Sequence, residues 1–218
     1  MKIAKFEFSL FGINTYVVWD PETHRGVIVD PGMSNAREEE ALRRMLEREK
    51  IVVTDIINTH LHVDHAIGNK YAKELWDVPV LANRRDEPLG ERMQQQALMF
   101  GLSEKVSDVA ITGYLEDGDT VKVGNGELKV LAVPGHSQGS IALYDKADGF
   151  VITGDALFAG SIGRTDLPGG NMQQLLQSIR AKLLTLPPET VVYPGHGPAT
   201  TVGEELRSNP YVGQMASF

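Results

Sequence analysis

Hydrophobic positions first recur in the period of strands. Lys2–Phe8 and Asn14–Trp19 alternate or run apolar on either side of Gly12, and Gly26–Asp30 (GVIVD) follows a turn at Asp20-Pro21-Glu22. This pattern predicts a strand meander. The period then lengthens: Ala41, Leu42, Met45 and Leu46 stand at helical spacing, and Asn35 followed three residues later by Glu38 marks the helix start. Glu39 with Arg43, and Glu40 with Arg44, are spaced as i,i+4 pairs on a solvated face. Ile51–Asn58 is a β-branched run ending at Thr59-His60; Ile67, Tyr71 and Leu75 then mark a helix and Val78–Leu81 a short strand, which predicts a β-α-β unit. A further helix is expected over Glu87–Phe100, with Met93, Met99 and Phe100 as packing groups.

From Asp119 the strand period returns in Thr120–Val123, Glu127–Val133, Ser140–Tyr144 and Phe150–Thr153, with turns at Gly124-Asn125-Gly126 and Asp148-Gly149. A helix from about Asn171 to Leu184 is expected to turn Met172, Leu175, Leu176, Ile179 and Leu183 inward, and Thr190–Tyr193 reads as a strand. Two halves, each strands then helix, predict an α+β fold of two packed sheets with helices outside. The end, Tyr211–Phe218 with Met215 and Phe218, is expected either to pack locally or to fray.

Composition narrows the function. At 218 residues with 42% hydrophobic and 23% charged, the chain is expected to form one globular domain over residues 1–218. A net charge of −8 with no basic block makes nucleic acid an unexpected partner. Apolar runs are too short for a membrane span, and Glu7 interrupts the only N-terminal stretch that resembles an export signal, so a cytoplasmic location is the expectation. Oligomeric state is left open. Cysteine is absent, which removes disulfides, thiolate ligands and a cysteine nucleophile together; any metal must use histidine and carboxylate.

Those ligands are concentrated. Thr59-His60-Leu61-His62-Val63-Asp64-His65 holds four donors within six residues at a strand end. Of six histidines, three lie here and two more in Val133-Pro134-Gly135-His136 and Tyr193-Pro194-Gly195-His196, both directly after apolar strands. Val151–Asp155 (VITGD) puts an acid in the equivalent place, so strand ends deliver polar groups to one edge. His24, in a Pro-Glu-Thr-His turn, reads as solvated surface. Gly135-His136-Ser137-Gln138-Gly139 also fits the G-x-S-x-G nucleophile elbow, with Asp155 and His196 in triad order. That elbow must run from strand into helix, whereas Ser140–Tyr144 reads as another strand, so Ser137 and Gly139 are read as turn residues.

Together, the T-H-x-H-x-D-H loop, the two Pro-Gly-His turns and Thr153-Gly154-Asp155 resemble the metallo-β-lactamase fold in its glyoxalase II-like (hydroxyacylglutathione hydrolase-like) branch. The resemblance implies an αββα sandwich of two mixed sheets. It implies that His60, His62 and His136 hold one divalent metal, that Asp64, His65 and His196 hold a second, and that Asp155 bridges both. Zinc is the expected ion, with iron and manganese accepted by the same donors. The implied activity is hydrolysis of S-lactoylglutathione or a related acyl thioester by a metal-bridging hydroxide, with Asp64 accepting or orienting its proton.

Asp30 resembles the family's supporting acid and is either an orienting partner of a ligand or a turn cap. Arg164, in Gly163-Arg164-Thr165-Asp166, stands where glyoxalase II enzymes grip glutathione with a basic residue and a tyrosine. The tyrosine position is Asp166, so Arg164 is either a substrate contact or the ion-pair partner of that acid. A similar Gly-Arg-Thr-Asp occurs in persulfide dioxygenases, which keep one iron; that enzyme class, or a hydrolase of another ester or lactone, is the alternative reading. A β-lactamase is expected to carry an export signal and a nuclease a basic face. Only 22 residues follow His196, so the chain resembles the short subgroup without the helical glutathione domain, and Glu87–Phe100 is expected to cover part of the pocket instead.

Overall fold

The β-branched runs pair into two sheets whose central strands are buried on both faces. The computed structural model describes residues 1–8, 11–102 and 106–214. The first sheet takes β1 (Lys2–Phe8), β2 (Ile13–Trp19), β3 (Arg25–Val29), β4 (Val52–Ile57), β5 (Val80–Ala82) and β6 (Gly113–Tyr114), paired in that order. β1 to β3 are antiparallel and β3 to β6 parallel, the parallel pairs requiring crossovers through helices. These are α1 (Ala36–Arg48), α2 (Val63–Ala66), α3 (Asn69–Trp76), a 3-10 turn at Arg84–Asp86, α4 (Glu87–Gly90) and α5 (Met93–Met99).

The second sheet is built from β7 (Thr120–Val123), β8 (Gly126–Ala132), β9 (Ile141–Asp145) and β10 (Phe150–Gly154). After a small hairpin of β11 (Leu157–Phe158) and β12 (Ser161–Ile162), it is completed by β13 (Val191–Pro194) and β14 (Thr200–Thr201). β10 and β13 are parallel; their crossover is α6 (Met172–Ser178), which widens into a π turn at Ile179–Leu183. The last helix is α7 (Val202–Ser208).

Three buried apolar layers hold these elements together. Val18, Val27, Val29 and Ile57 of the first sheet meet Val130, Ile141, Leu143 and Ile152 of the second. Leu42, Leu46, Ala72 and Met93 cover the first sheet's outer face. Leu175, Ile179, Leu183 and Val202 cover that of the second. The result is the expected αββα sandwich of two mixed sheets, α+β in class. No helix among the described residues is long and apolar enough to cross a membrane.

Several local expectations are corrected. Glu87–Phe100 is not one helix: α4 ends at Gly90 and α5 restarts at Met93, whose N–H donates to Asp108 Oδ1 at 3.1 Å. Met93 is buried as expected, but Met99 is 64% exposed. Met172 and Leu75, also expected inward, are 45% and 44% exposed. Met172 is the first residue of α6, before the buried stripe begins, and α3 instead buries Ala72. Arg43 pairs with Glu40 and Glu47 rather than Glu39, while Arg44 meets Glu40 at 2.6 Å as expected. His24 is half-buried, its Nδ1 2.9 Å from the Glu49 carbonyl, so it is not plain solvated surface. Tyr211 packs on the outer layer of the second sheet; Met215 and Phe218 lie outside the described residues.

Candidate metal centre

Four strand ends converge at one edge of the sandwich. β4 leads into the loop carrying His60 and His62, with Asp64 and His65 in α2; β8 leads to His136, β10 to Asp155 and β13 to His196. The two Pro-Gly-His turns need their glycines. Gly135 has φ +137° and lies against the Leu175 backbone, and a Cβ on Gly195 would collide with Asp155 and the His65 ring. A cross-sheet clamp fixes the second turn: buried Asn14 Nδ2 and Tyr16 Oη donate to the Pro194 carbonyl at 2.9 and 2.7 Å.

Seven predicted residues are brought together. His62 Nδ1 is 2.8 Å and His60 Nε2 3.2 Å from His136 Nε2. Beside them, His65 Nε2 lies 3.2 Å from Asp155 Oδ1, and His196 Nε2 lies 3.2 Å from Asp64 Oδ2. Asp155 Oδ2 reaches 3.7 Å from His136 Nε2 and 3.6 Å from His196 Nε2, so this carboxylate stands between both groups.

The remaining ring nitrogens dictate which atoms face inward. His136 Nδ1 is 2.8 Å from the Arg164 carbonyl and His196 Nδ1 is 3.1 Å from that of Phe11, so each Nδ1 carries the proton and donates. His65 Nδ1 donates to Asp30 Oδ2 at 3.0 Å. Thr59 gives its hydroxyl hydrogen to Asp30 Oδ2 at 2.6 Å, and therefore accepts from His60 Nδ1 at 3.2 Å. The Nε2 lone pairs of His60 and His136 consequently face each other at 3.2 Å, while His65 and His196 turn Nε2 toward the two carboxylates. Lone pairs 3 Å apart repel unless a positive charge lies between them. His65 Nε2 and Asp155 Oδ1, buried 3.2 Å apart, have no partner but each other, and a cation between them would serve both. The donor set fits divalent metal.

Electrostatics separates the two groups. Burial, with the neighbouring imidazoles, pushes His60 well below its ordinary pKa and His62 down to about 3. These rings stay neutral and keep their lone pairs. For His65 and His196 burial acts in the same direction but is outweighed, chiefly by Asp155 for His65 and by Asp64 for His196, and both pKa values rise. Burial would raise Asp64 and Asp155, yet His65 above all holds both carboxyls below their ordinary range.

Two further acids anchor the ligand loops. Asp30, 1% exposed and at φ +52°, accepts the Thr59 N–H at 2.7 Å besides the two bonds above, so it supports a ligand on each side of the site. Asp86 was missed by sequence reasoning. It is 1% exposed and accepts from Leu61 N at 3.2 Å, Ser137 Oγ at 2.7 Å and Gly139 N at 2.6 Å, tying the first ligand loop to the His136 turn. Its place after β5 was the available signal, another acid at a strand end. Ser137 is thus a donor to Asp86, and β9 rather than a helix follows, as expected for a turn and not an elbow. Arg164 forms a two-armed pair with Asp166, both bonds 2.7 Å, and also lines the metal cavity. That cavity is about 220 Å³, and Phe11, Phe100 and Leu167 form its apolar side.

A family model for the metallo-beta-lactamase superfamily matches residues 9–196. The hydroxyacylglutathione hydrolase GloC of Haemophilus influenzae is 33% identical over 213 residues, covering 97% of this chain and 98% of the relative. Among solved structures, the BLEG-1 B3 metallo-beta-lactamase superposes with a TM-score of 0.85 at 31% identity, covering 97% and 99% of the two chains. TTHA1623 in a di-iron-bound form gives 0.84 at 36%, covering 95% and 99%. ETHE1 from Myxococcus xanthus gives 0.78 at 30%, covering 97% of this chain and 84% of that one.

Two outcomes are expected. Asp30→Ala should weaken metal binding by about 10- to 100-fold in a chelator competition. Metal uptake should release protons, since the raised pKa values of His65 and His196 make protons the competitors of the metal. Apparent affinity should therefore climb with pH until both rings are deprotonated, and calorimetry in buffers of different ionisation enthalpy measures the protons released.

Proposed function

Because the chain belongs to the metallo-beta-lactamase superfamily, we propose that it is a dinuclear metal-dependent thioesterase acting on S-lactoylglutathione or a related small acyl thioester. The observation that carries this reading is the pair of converging donor groups with Asp155 between them, His65 Nε2 and Asp155 Oδ1 being buried with no partner but each other. His60, His62 and His136 would hold one cation and Asp64, His65 and His196 the other, with Asp155 serving both. The likeness to GloC supports the thioester class. Zinc suits this nitrogen and oxygen set, and the likeness to a di-iron form supports iron as an accepted alternative.

When bound, a pair of divalent cations lowers the pKa of a shared water and polarises the substrate carbonyl. The chain's own groups supply the rest. Asp64, held ionised, can accept the proton of the attacking water and pass it to the departing thiolate as the C–S bond breaks, yielding a carboxylic acid and a thiol. Phe11, Phe100 and Leu167 limit water on one side of the cavity. No side-chain nucleophile is needed. A mononuclear iron persulfide dioxygenase is the second reading, favoured by the Gly163–Asp166 stretch and the likeness to ETHE1.

Metal analysis of protein purified without chelator, paired with S-lactoylglutathione turnover, separates the two. We expect two metals per chain with thioester cleavage, and a loss of about 100-fold or more in kcat/KM for His136→Ala. One iron per chain, no cleavage and oxygen consumption with glutathione persulfide would replace the hydrolase by the dioxygenase.

A further inference from the structure

The metal cavity, at about 220 Å³, is smaller than sites that enclose a whole small ligand. A second cavity of about 340 Å³ adjoins it. Neighbouring residues of the chain line the two: Met99 lines the second and Phe100 the first, Pro168 the second and Leu167 the first, and Gln138 lines the second two residues beyond His136. They are also mechanically joined. Asp86 accepts the Leu61 N–H and Gln96 Nε2 donates to the Leu61 carbonyl at 3.0 Å, so two residues of the second cavity grip the peptide between His60 and His62. The opposite wall is preset, since Gln138 Nε2 donates to the Gly169 carbonyl at 2.6 Å.

Its exposed charge is basic, in a chain that is acidic overall. The chain carries −8 overall, yet Arg85 and Arg92 both line this cavity, exposed and without an ion-pair partner among the described residues. Arg84 next door is stacked on Tyr114, and Arg164 is engaged by Asp166. The one acid in the lining, Asp86, is buried and saturated by three donors. Besides the arginines, the lining carries the apolar side chains Pro88, Leu89 and Met99. Two free guanidiniums in a partly apolar cavity beside the metal cavity suit a ligand with carboxylates at the end distant from its reacting atom.

We propose that this cavity is the subsite for the thiol arm of the substrate, and that Arg85 and Arg92 bind the carboxylates of a small peptide thiol such as glutathione. The proposal rests on the thioesterase reading and deepens it. The cavity's volume stands at the low end for small-ligand sites, which favours a tripeptide-sized thiol over a nucleotide-bearing one. Arg164 is then free to stay paired with Asp166, and no additional domain is required to hold the arm.

The test compares the metal-loaded protein with its Arg85→Ala/Arg92→Ala variant; both sites are exposed, so folding is retained. Calorimetric binding of S-methylglutathione, an uncleavable thioether, should weaken about tenfold in the variant, and Arg85→Lys/Arg92→Lys should recover part of it. In turnover, the ratio of kcat/KM for S-lactoylglutathione to that for the uncharged S-lactoyl-N-acetylcysteamine should fall by a similar factor. Equal S-methylglutathione binding by both proteins, no binding by the unaltered protein, or tighter binding of S-methyl-coenzyme A would overturn the subsite. Cleavage of the uncharged thioester with any of those results leaves the hydrolase standing and only the subsite refuted. Arginine-dependent S-methylglutathione binding with no thioester cleaved leaves the subsite and refutes the thioesterase.

Discussion

Asp30 is a buried carboxylate at the end of β3, held by the backbone and side chain of Thr59 and by His65. A buried charge is tolerated only when donors surround it, and here the donors are the parts that aim the ligands. Through Thr59 it sets the tautomer of His60; directly it sets that of His65. One acid thereby turns a lone pair from each side of the site toward the shared centre. Its own position is secured by the sheet: Asp30 N donates to the Ile57 carbonyl at 2.9 Å, and Thr15 Oγ1 donates to the Asp30 carbonyl at 2.6 Å.

The sandwich makes that arrangement rigid. Ligands from both sheets meet only if the sheets keep their relative position, and the buried layer between them resists sliding because side chains interlock there. Polar ties at the edge refine it. Ile141 N donates to the Thr59 carbonyl at 2.8 Å, Asn14 N to the Gly195 carbonyl at 2.7 Å, and Tyr16 Oη to that of Pro194. Each tie spans the two sheets beside a ligand. The close approach of Gly195 to Asp155 and His65 then excludes any side chain at that turn.

The convergence of the donor cluster was legible because chemistry crowds it: four donors in six residues, and strand ends repeating Pro-Gly-His, leave little other use for those side chains. The long strands were legible from their period. Asp86 was not, because its partners, the Leu61 and Gly139 N–H groups and the Ser137 hydroxyl, lie 25, 53 and 51 residues away in sequence. Two-residue strands such as β6, β12 and β14 are too short to show a period. The break between α4 and α5 was hidden for a similar reason, since the capping acid Asp108 lies beyond the helix it starts. Arg164 remained ambiguous in sequence because it does two things, pairing with Asp166 while its carbonyl orients His136.

Above all, the seven residues are proposed to form two adjoining cation positions sharing Asp155. Anomalous diffraction from crystals grown with zinc tests it most directly. Two peaks are expected, one among His60, His62 and His136 and one among Asp64, His65 and His196, with Asp155 in contact with both. A single peak among the three histidines, with His65 bonded to Asp155 through a proton at saturating zinc, would contradict it.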